Sequence, residues 1–245
     1  YSETVTRVSA IPFDPRFWPK KPMWENYARA WTTGGGLGRS FLNTIVIALT
    51  TLAGVLFTSS LAAYAFSKLE FPAKDVIFSI TLATLMIPET VQLVPNFIVI
   101  ASFGWIDKLA ALTVPFMASA FFIFLLRQFF NQVPTALMES ARMDGASHTF
   151  ILSRIFIPLS RAPLFTVAFL AFTGAWNALQ WPLVVTQTPK WRPISVGLTK
   201  FITEAGPETH LRMAGAMIAL LPVIVVYAIA QRQITEAIAR TGMKG

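Results

Sequence analysis

Residues 139–163 read Glu139-Ser140-Ala141-Arg142-Met143-Asp144-Gly145-Ala146, then Ser147 to Arg154, then Ile155-Phe156-Ile157-Pro158-Leu159, and close on Pro163. Long apolar runs flank this stretch on both sides. So many polar groups must fold outside the hydrocarbon, where water can pair with them. The local chemistry spells helix, turn, helix. Pro134 suits the first helical turn, where its missing N–H costs nothing, and Thr135 to Met143 holds good helix formers. Gly145 accepts the positive φ that ends a helix and turns the chain. Ser147 caps a second helix, which is expected to run through Arg154 until Pro158. The first helix carries Glu139, Arg142 and Asp144 beside Leu137, Met138, Ala141 and Met143. Such a short amphipathic helix lies either in a groove of another protein or on lipid headgroups.

The surrounding composition places the chain in a bilayer. Of 245 residues, 54% are hydrophobic and only 13% charged, with a mean hydropathy of +0.58, where a soluble domain carries about 25% charge. Cysteine is absent, which excludes disulfides, thiolate chemistry and iron–sulfur clusters. His148 and His210 are far apart and lack ligand-like neighbours, so no catalytic metal site is expected. The net charge of +8 sits in loops between apolar runs. It answers to anionic lipid headgroups rather than to nucleic acid.

Five apolar segments, at about 40–66, 75–103, 109–130, 161–185 and 212–233, each meet the roughly 20 residues needed for a crossing. The expected fold is a single all-α, polytopic helical bundle over residues 1–245. Residues 1–38 form a polar segment in which Pro12, Pro15, Pro19 and Pro22 prevent one long helix and Gly34 to Gly36 make a joint. The remaining connections of note are loops at 131–160 and 186–211 and a tail at 234–245. The chain starts at Tyr1 rather than Met, and a preceding segment is expected. Charge counting leaves orientation open. With the C-terminus inside, nine Lys/Arg are inner and eleven outer, and long loops translocate regardless of charge.

The spans carry polar and irregular positions. Thr44, Thr51, Gly54 and Thr58 put small residues on one side of the first span, which suits close helix packing. Pro88 and Pro95 are expected to break segment 75–103, and Pro182 and Pro222 to interrupt later spans. Glu89, Gln92 and Asn96 share a helical face. They line a translocation path, or else Glu89 lies near a boundary or bonds backbone freed by Pro88. Thr173, Trp176, Asn177 and Gln180 recur at i, i+3, i+4 and i+7. Rings beside amides suit a sugar-like solute, but Trp176 also fits an interfacial belt and Asn177 a bridge between helices.

Glu139-Ser140-Ala141, Asp144-Gly145-Ala146 and Ile155-x-Ile157-Pro158-Leu159 together resemble the EAA loop of binding-protein-dependent ABC importer permeases. The carbohydrate-uptake subfamily, typified by the smaller permease of the maltose importer, is the nearest pattern. Ser140 replaces the usual Ala and Ile157 the usual Leu. Glu25-Asn26-Tyr27, Asn43-Thr44, Trp176-Asn177, Trp181-Pro182-Leu183, Gln231-Arg232 and Thr241-Gly242-Met243-Lys244-Gly245 extend the resemblance over most of the chain. It implies about six spans of roughly 20 residues, one of them before Tyr1, in a bacterial or archaeal cytoplasmic membrane with the C-terminus inside. It implies that Glu139, Ser140, Ala141, Arg142, Met143, Asp144, Gly145 and Ala146 form a cytoplasmic coupling helix seated in an ATPase subunit. Thr241 to Gly245 would reach the ATPase interface, and loop 186–211 would meet a solute-binding protein. The implied partners are a second homologous permease, two ATPase copies and that binding protein. The chain has no GxxxxGK[ST] phosphate loop, so ATP and Mg²⁺ would belong to the ATPase subunits and no cofactor to this chain.

Other classes fit less. An ion-coupled transporter using Glu89 would show inverted repeats, and none is visible. An intramembrane enzyme would need paired carboxylates, HExxH or a nucleophile–base set, and the sequence offers none. A permease for phosphate, amino acids or metals differs only in cargo.

Overall fold

A computed structural model of the chain describes residues 23–32, 37–203, 206–207 and 209–242. The expected joint at Gly34–Gly36 and the prolines before Met23 lie outside these residues. Helix α1 (Glu25–Thr32) precedes α2 (Leu37–Lys68). Helix α3 (Lys74–Ala83) runs on as a 3₁₀ turn to Met86, and α4 spans Glu89–Ser102. Helix α5 (Leu109–Thr113) also ends in a 3₁₀ turn and is followed by α6 (Ala120–Gln132). The polar loop forms α7 (Thr135–Met143), α8 (His148–Ile151), a π turn (Leu152–Phe156) and α9 (Ile157–Leu159). Then come α10 (Arg161–Asn177), α11 (Gln180–Val185) and α12 (Ile194–Thr199). A two-residue antiparallel ladder pairs β1 (Ile202–Thr203) with β2 (Gly206–Pro207), Ile202 opposite Pro207. Helix α13 covers Thr209–Gly242.

Helix α2 is the central rod. Its 32 residues make about 48 Å, longer than the roughly 30 Å hydrocarbon core. It packs most extensively against α6 and α10 and also contacts α5 and α12. By length and composition, α2 and residues 209–231 of α13 can each cross a membrane alone, and three bent helix pairs bring the total to five at most. Exposed aliphatics such as Val91, Val94 and Ile98 on α4 and Leu221, Ile224 and Val225 on α13 face lipid or another subunit, as apolar surface does in a bilayer.

Breaks occur at some expected prolines and not at others. The pair α3/α4 is bent by 104° at Ile87–Pro88, where Pro88 removes a backbone donor. Pro95 lies inside α4 and Pro222 inside α13 without ending either helix. The expected breaks there are corrected: neighbouring helices and local adjustments accommodate an intramembrane proline without interruption. The fourth apolar segment is not one rod either, since α10 stops at Asn177 and α11 starts at Gln180.

The small-residue face of α2 packs as its composition requires. A Cβ placed on Gly54 would lie 2.2 Å from Met117 Cγ and 2.7 Å from Met117 Cβ. Thr58 donates its hydroxyl to the Met117 carbonyl, which holds that backbone against the rod. At the other end, Thr44 accepts from the Ile194 N–H at 2.7 Å. Asn43 donates to the carbonyls of Lys190 and Arg192, each at 3.0 Å. Residues 190–194 of the 186–211 loop are thereby held against α2.

Gly54→Ala should destabilise the detergent-solubilised protein by about 1–3 kcal/mol, the usual cost of overpacking, and lower its Tm. Met117→Ala in the same chain should recover most of that loss. An unchanged melt for Gly54→Ala alone would show that α2 and the 114–119 segment are not in close contact.

Candidate functional site

Helix α7 lies across one end of the bundle and has two unlike faces. Met138 and Ala141, with Ala146 just beyond, pack against a buried cluster that includes Tyr64 of α2, Phe130 of α6 and Phe156 of the π turn. Glu139, Ser140 and Asp144 are exposed on the other side, and Met143 is 88% exposed, a bare apolar side chain beside two carboxylic residues. Arg142 is also exposed but lies four residues from Met138, on the same face.

Gly145 sets this orientation. Its φ is +83°, and a Cβ there would meet nothing within 4 Å, so the constraint is the backbone angle and not space. The Gly145 N–H donates to Arg142 O at 3.0 Å and the Ala146 N–H to Ala141 O at 2.9 Å. These two bonds form a Schellman motif, and Ala141 and Ala146 both pack against the buried cluster. Ser147 then caps α8, its Oγ accepting from the Phe150 N–H at 3.3 Å.

Two details differ from the sequence expectation. Pro134 is the N-cap of α7 with ψ near 132° rather than its first helical residue, since the helix starts at Thr135. The second helix does not stop before Pro158. The Ile157 N–H reaches back to Leu152 O, and this wider π turn leaves room for the proline ring. The chain instead bends at Ser160, where the helical stretch His148–Leu159 meets α10 at 85°.

Basic side chains fix the same end. Arg127 donates to Phe66 O at 3.0 Å, lies over the Phe78 ring at 3.9 Å and faces Asp75 at 3.7 Å. Lys68 donates to Val133 O at 2.7 Å. Sequence reading missed a further connection. The Tyr64 hydroxyl lies 3.0 Å from His148 Nδ1, and Arg142 contacts His148 Nε2. No sequence signal pointed to it: Tyr64 lies between Ala63 and Ala65 within the apolar helix α2.

The two expected path stripes are not united. Glu89 and Asn96 are exposed on α4, and Glu89 occupies the first turn after Pro88, where the helix dipole favours a carboxylate. Gln92 donates to Ile87 O at 3.2 Å, so it is Gln92 that serves backbone at the proline break. The second stripe is corrected. The helix ends at Asn177, so Gln180 begins a different helix and the i, i+7 register is lost. Trp176 is buried, donates Nε1–H to Ala219 O of α13 at 3.0 Å and packs against Phe41 and Phe172. It joins three helices. Thr173 bonds its own helix at Phe169 O, and Asn177 and Gln180 remain exposed. No hydrogen bond links the two stripes among the described residues.

Over residues 54–240 the chain matches the family described as binding-protein-dependent transport system inner membrane component. The chain belongs to this family. Relatives include the sn-glycerol-3-phosphate transport system permease proteins UgpE of Yersinia pestis, 34% identical over 87% of this chain and 79% of the relative, and of Rhizobium meliloti, 34% identical over 89% and 80%. A bacterial ABC transporter involved in the import of the acidic polysaccharide alginate contains a chain of similar structure. Its TM-score is 0.78 at 27% identity, covering 89% of this chain and 83% of that one. The MetNI methionine ABC transporter, at 15% identity, shares the fold with a TM-score of 0.59 over 87% and 99%. This inner-membrane component is therefore an ABC permease subunit with an all-α membrane fold, and not an enzyme. Of the tail expected to meet an ATPase, Thr241 and Gly242 continue α13, whereas Met243, Lys244 and Gly245 lie outside the described residues.

Gly145→Val forces a β-branched side chain to positive φ, at a cost of order 1–3 kcal/mol in the turn. The permease should still insert in the membrane but fail to retain its ATPase on co-purification, and normal retention would contradict the role of the turn. Trp176→Phe should lower stability by about 1 kcal/mol, the net worth of one hydrogen bond, without changing apparent solute affinity. A large affinity change would return Trp176 to the path.

Proposed function

We infer that this chain forms half of the translocation path of an importer for carbohydrates or carbohydrate-like solutes, and that it takes its energy through α7. The solute class includes sugars, amino sugars, polyols and glycerol phosphate derivatives. The observation that carries the coupling reading is the two-faced helix: Met138 and Ala141 set in the core while Glu139, Met143 and Asp144 stand clear of it. A solvated helix with no partner gains nothing by presenting a methionine that is almost wholly exposed. A groove on another subunit would bury it.

In this reading α7 is cytoplasmic and Glu139 to Ala146 seat in a cleft of an ATPase subunit, which holds ATP and Mg²⁺. Two ATPase copies, a second homologous permease and an extracytoplasmic solute-binding protein complete the assembly. Loop 186–211, held to α2 by Asn43 and Thr44, is then outside and offers a fixed surface to the binding protein. The C-terminal end of α13 lies inside, near the ATPase interface. Nucleotide-driven closure moves α7, and the helices seated on it rotate as rigid bodies about a site between the two permeases. Glu89, Gln92, Asn96, Thr173, Asn177 and Gln180 are the candidate path residues of this half. The solute names of the relatives, a glycerol phosphate and an acidic polysaccharide, support the carbohydrate-like class.

Uptake by proteoliposomes holding the whole assembly should require internal ATP and survive dissipation of proton and sodium gradients. Uptake driven by an ion gradient without ATP would replace this reading with ion-coupled transport through Glu89.

A further inference from the structure

The contacts behind α7 form a ring that starts and finishes on one helix. Arg142 has only donors, so its contact with His148 Nε2 makes that nitrogen the acceptor. The imidazole proton then belongs on Nδ1, which faces the Tyr64 hydroxyl at 3.0 Å. Since Nδ1 donates in that contact, the hydroxyl's own proton is free to go to Met138 Sδ at 3.8 Å. Arg142 and Met138 are four residues apart and so lie one turn apart on one face of α7. His148 belongs to α8 and Tyr64 to the central rod α2. The Tyr64 ring also packs edge-on against Phe156 of the π turn, with centroids 5.1 Å apart.

We propose that His148 and Tyr64 are positioning residues that lock α7 to α2, so that force on α7 reaches the central rod directly and not only along the chain through α10. The backbone route from α7 to α10 is indirect, passing a π turn and an 85° bend. A side-chain ring of four partners offers a more direct path, and each member has a defined direction of donation. The proposal rests on the coupling role assigned to α7 and adds which residues transmit it.

The absence of native cysteine permits clean labelling. Ala136→Cys on α7 and Glu70→Cys just past α2, both exposed, would carry spin labels in the full reconstituted complex. Their separation would be measured without nucleotide and after trapping with ATP and vanadate. The locked arrangement predicts one narrow distance distribution that stays in place on trapping. Tyr64→Phe, which keeps the ring and removes only the hydroxyl, should broaden or shift that distribution on trapping, and His148→Ala should do the same. The double variant should be no worse than the worse single one, because members of one network are not additive. All three should still retain the ATPase. A separation that changes on trapping in the unsubstituted chain, or that is unaffected by both variants, overturns the proposal. Failure of the unsubstituted chain to retain an ATPase would instead sink the coupling role itself. In that case the nucleotide-free distributions still decide whether the ring holds α7: broadening in Tyr64→Phe supports the ring, and none removes it.

Discussion

The backbone turn at Gly145 is the constraint on which the α7 end of this permease depends. Positive φ there lets the last carbonyls of α7 be capped by Gly145 and Ala146, which brings Ala146 back onto the cluster beneath the helix. Without that reversal the chain would run on along the axis of α7 and Ala146 would not return to the cluster. With it, one nine-residue helix has an inner face fixed by packing and an outer face kept free. The proposed transfer of energy through α7 depends on that division.

The rest of the fold gives α7 something rigid to stand on. Helix α2 acts as a rod because its small and hydroxylated face accepts neighbours at close range, with Met117 against Gly54 and Ile194 against Thr44. Small residues serve this purpose in lipid, where no hydrophobic drive brings helices together. Arg127 and Lys68 then tie the loop end of α2 to α3, α6 and the loop itself, using backbone carbonyls and ring faces as partners. Such groups satisfy a charge near the interface without a matching carboxylate in every case.

The helix and turn of the 131–160 loop are legible in the sequence because their signals are local. A glycine at C′, a serine cap and a run of helix formers act within a few residues, and Thr135–Met143 and the turn at Gly145 followed from them. Prolines were less legible. Pro88 bends its segment while Pro95 and Pro222 do not, and the difference lies in what surrounds the freed carbonyl, which is tertiary information. The stripe Thr173, Trp176, Asn177, Gln180 failed for a related reason. Helical spacing does not carry across Ala178–Leu179, where the helix ends, and a tryptophan with a buried carbonyl partner is indistinguishable in sequence from one lining a channel. The Tyr64–His148 contact spans 84 positions in the chain and could not be read from spacing at all.

The most direct test of the central claim uses a single cysteine at Met143 in intact inner-membrane vesicles. A bifunctional thiol reagent should join it to the cytoplasmic ATPase subunit, and an impermeant thiol reagent should reach it only from the cytoplasmic side. Labelling from the opposite side, or full accessibility with no cross-link in the assembled complex, would contradict the account.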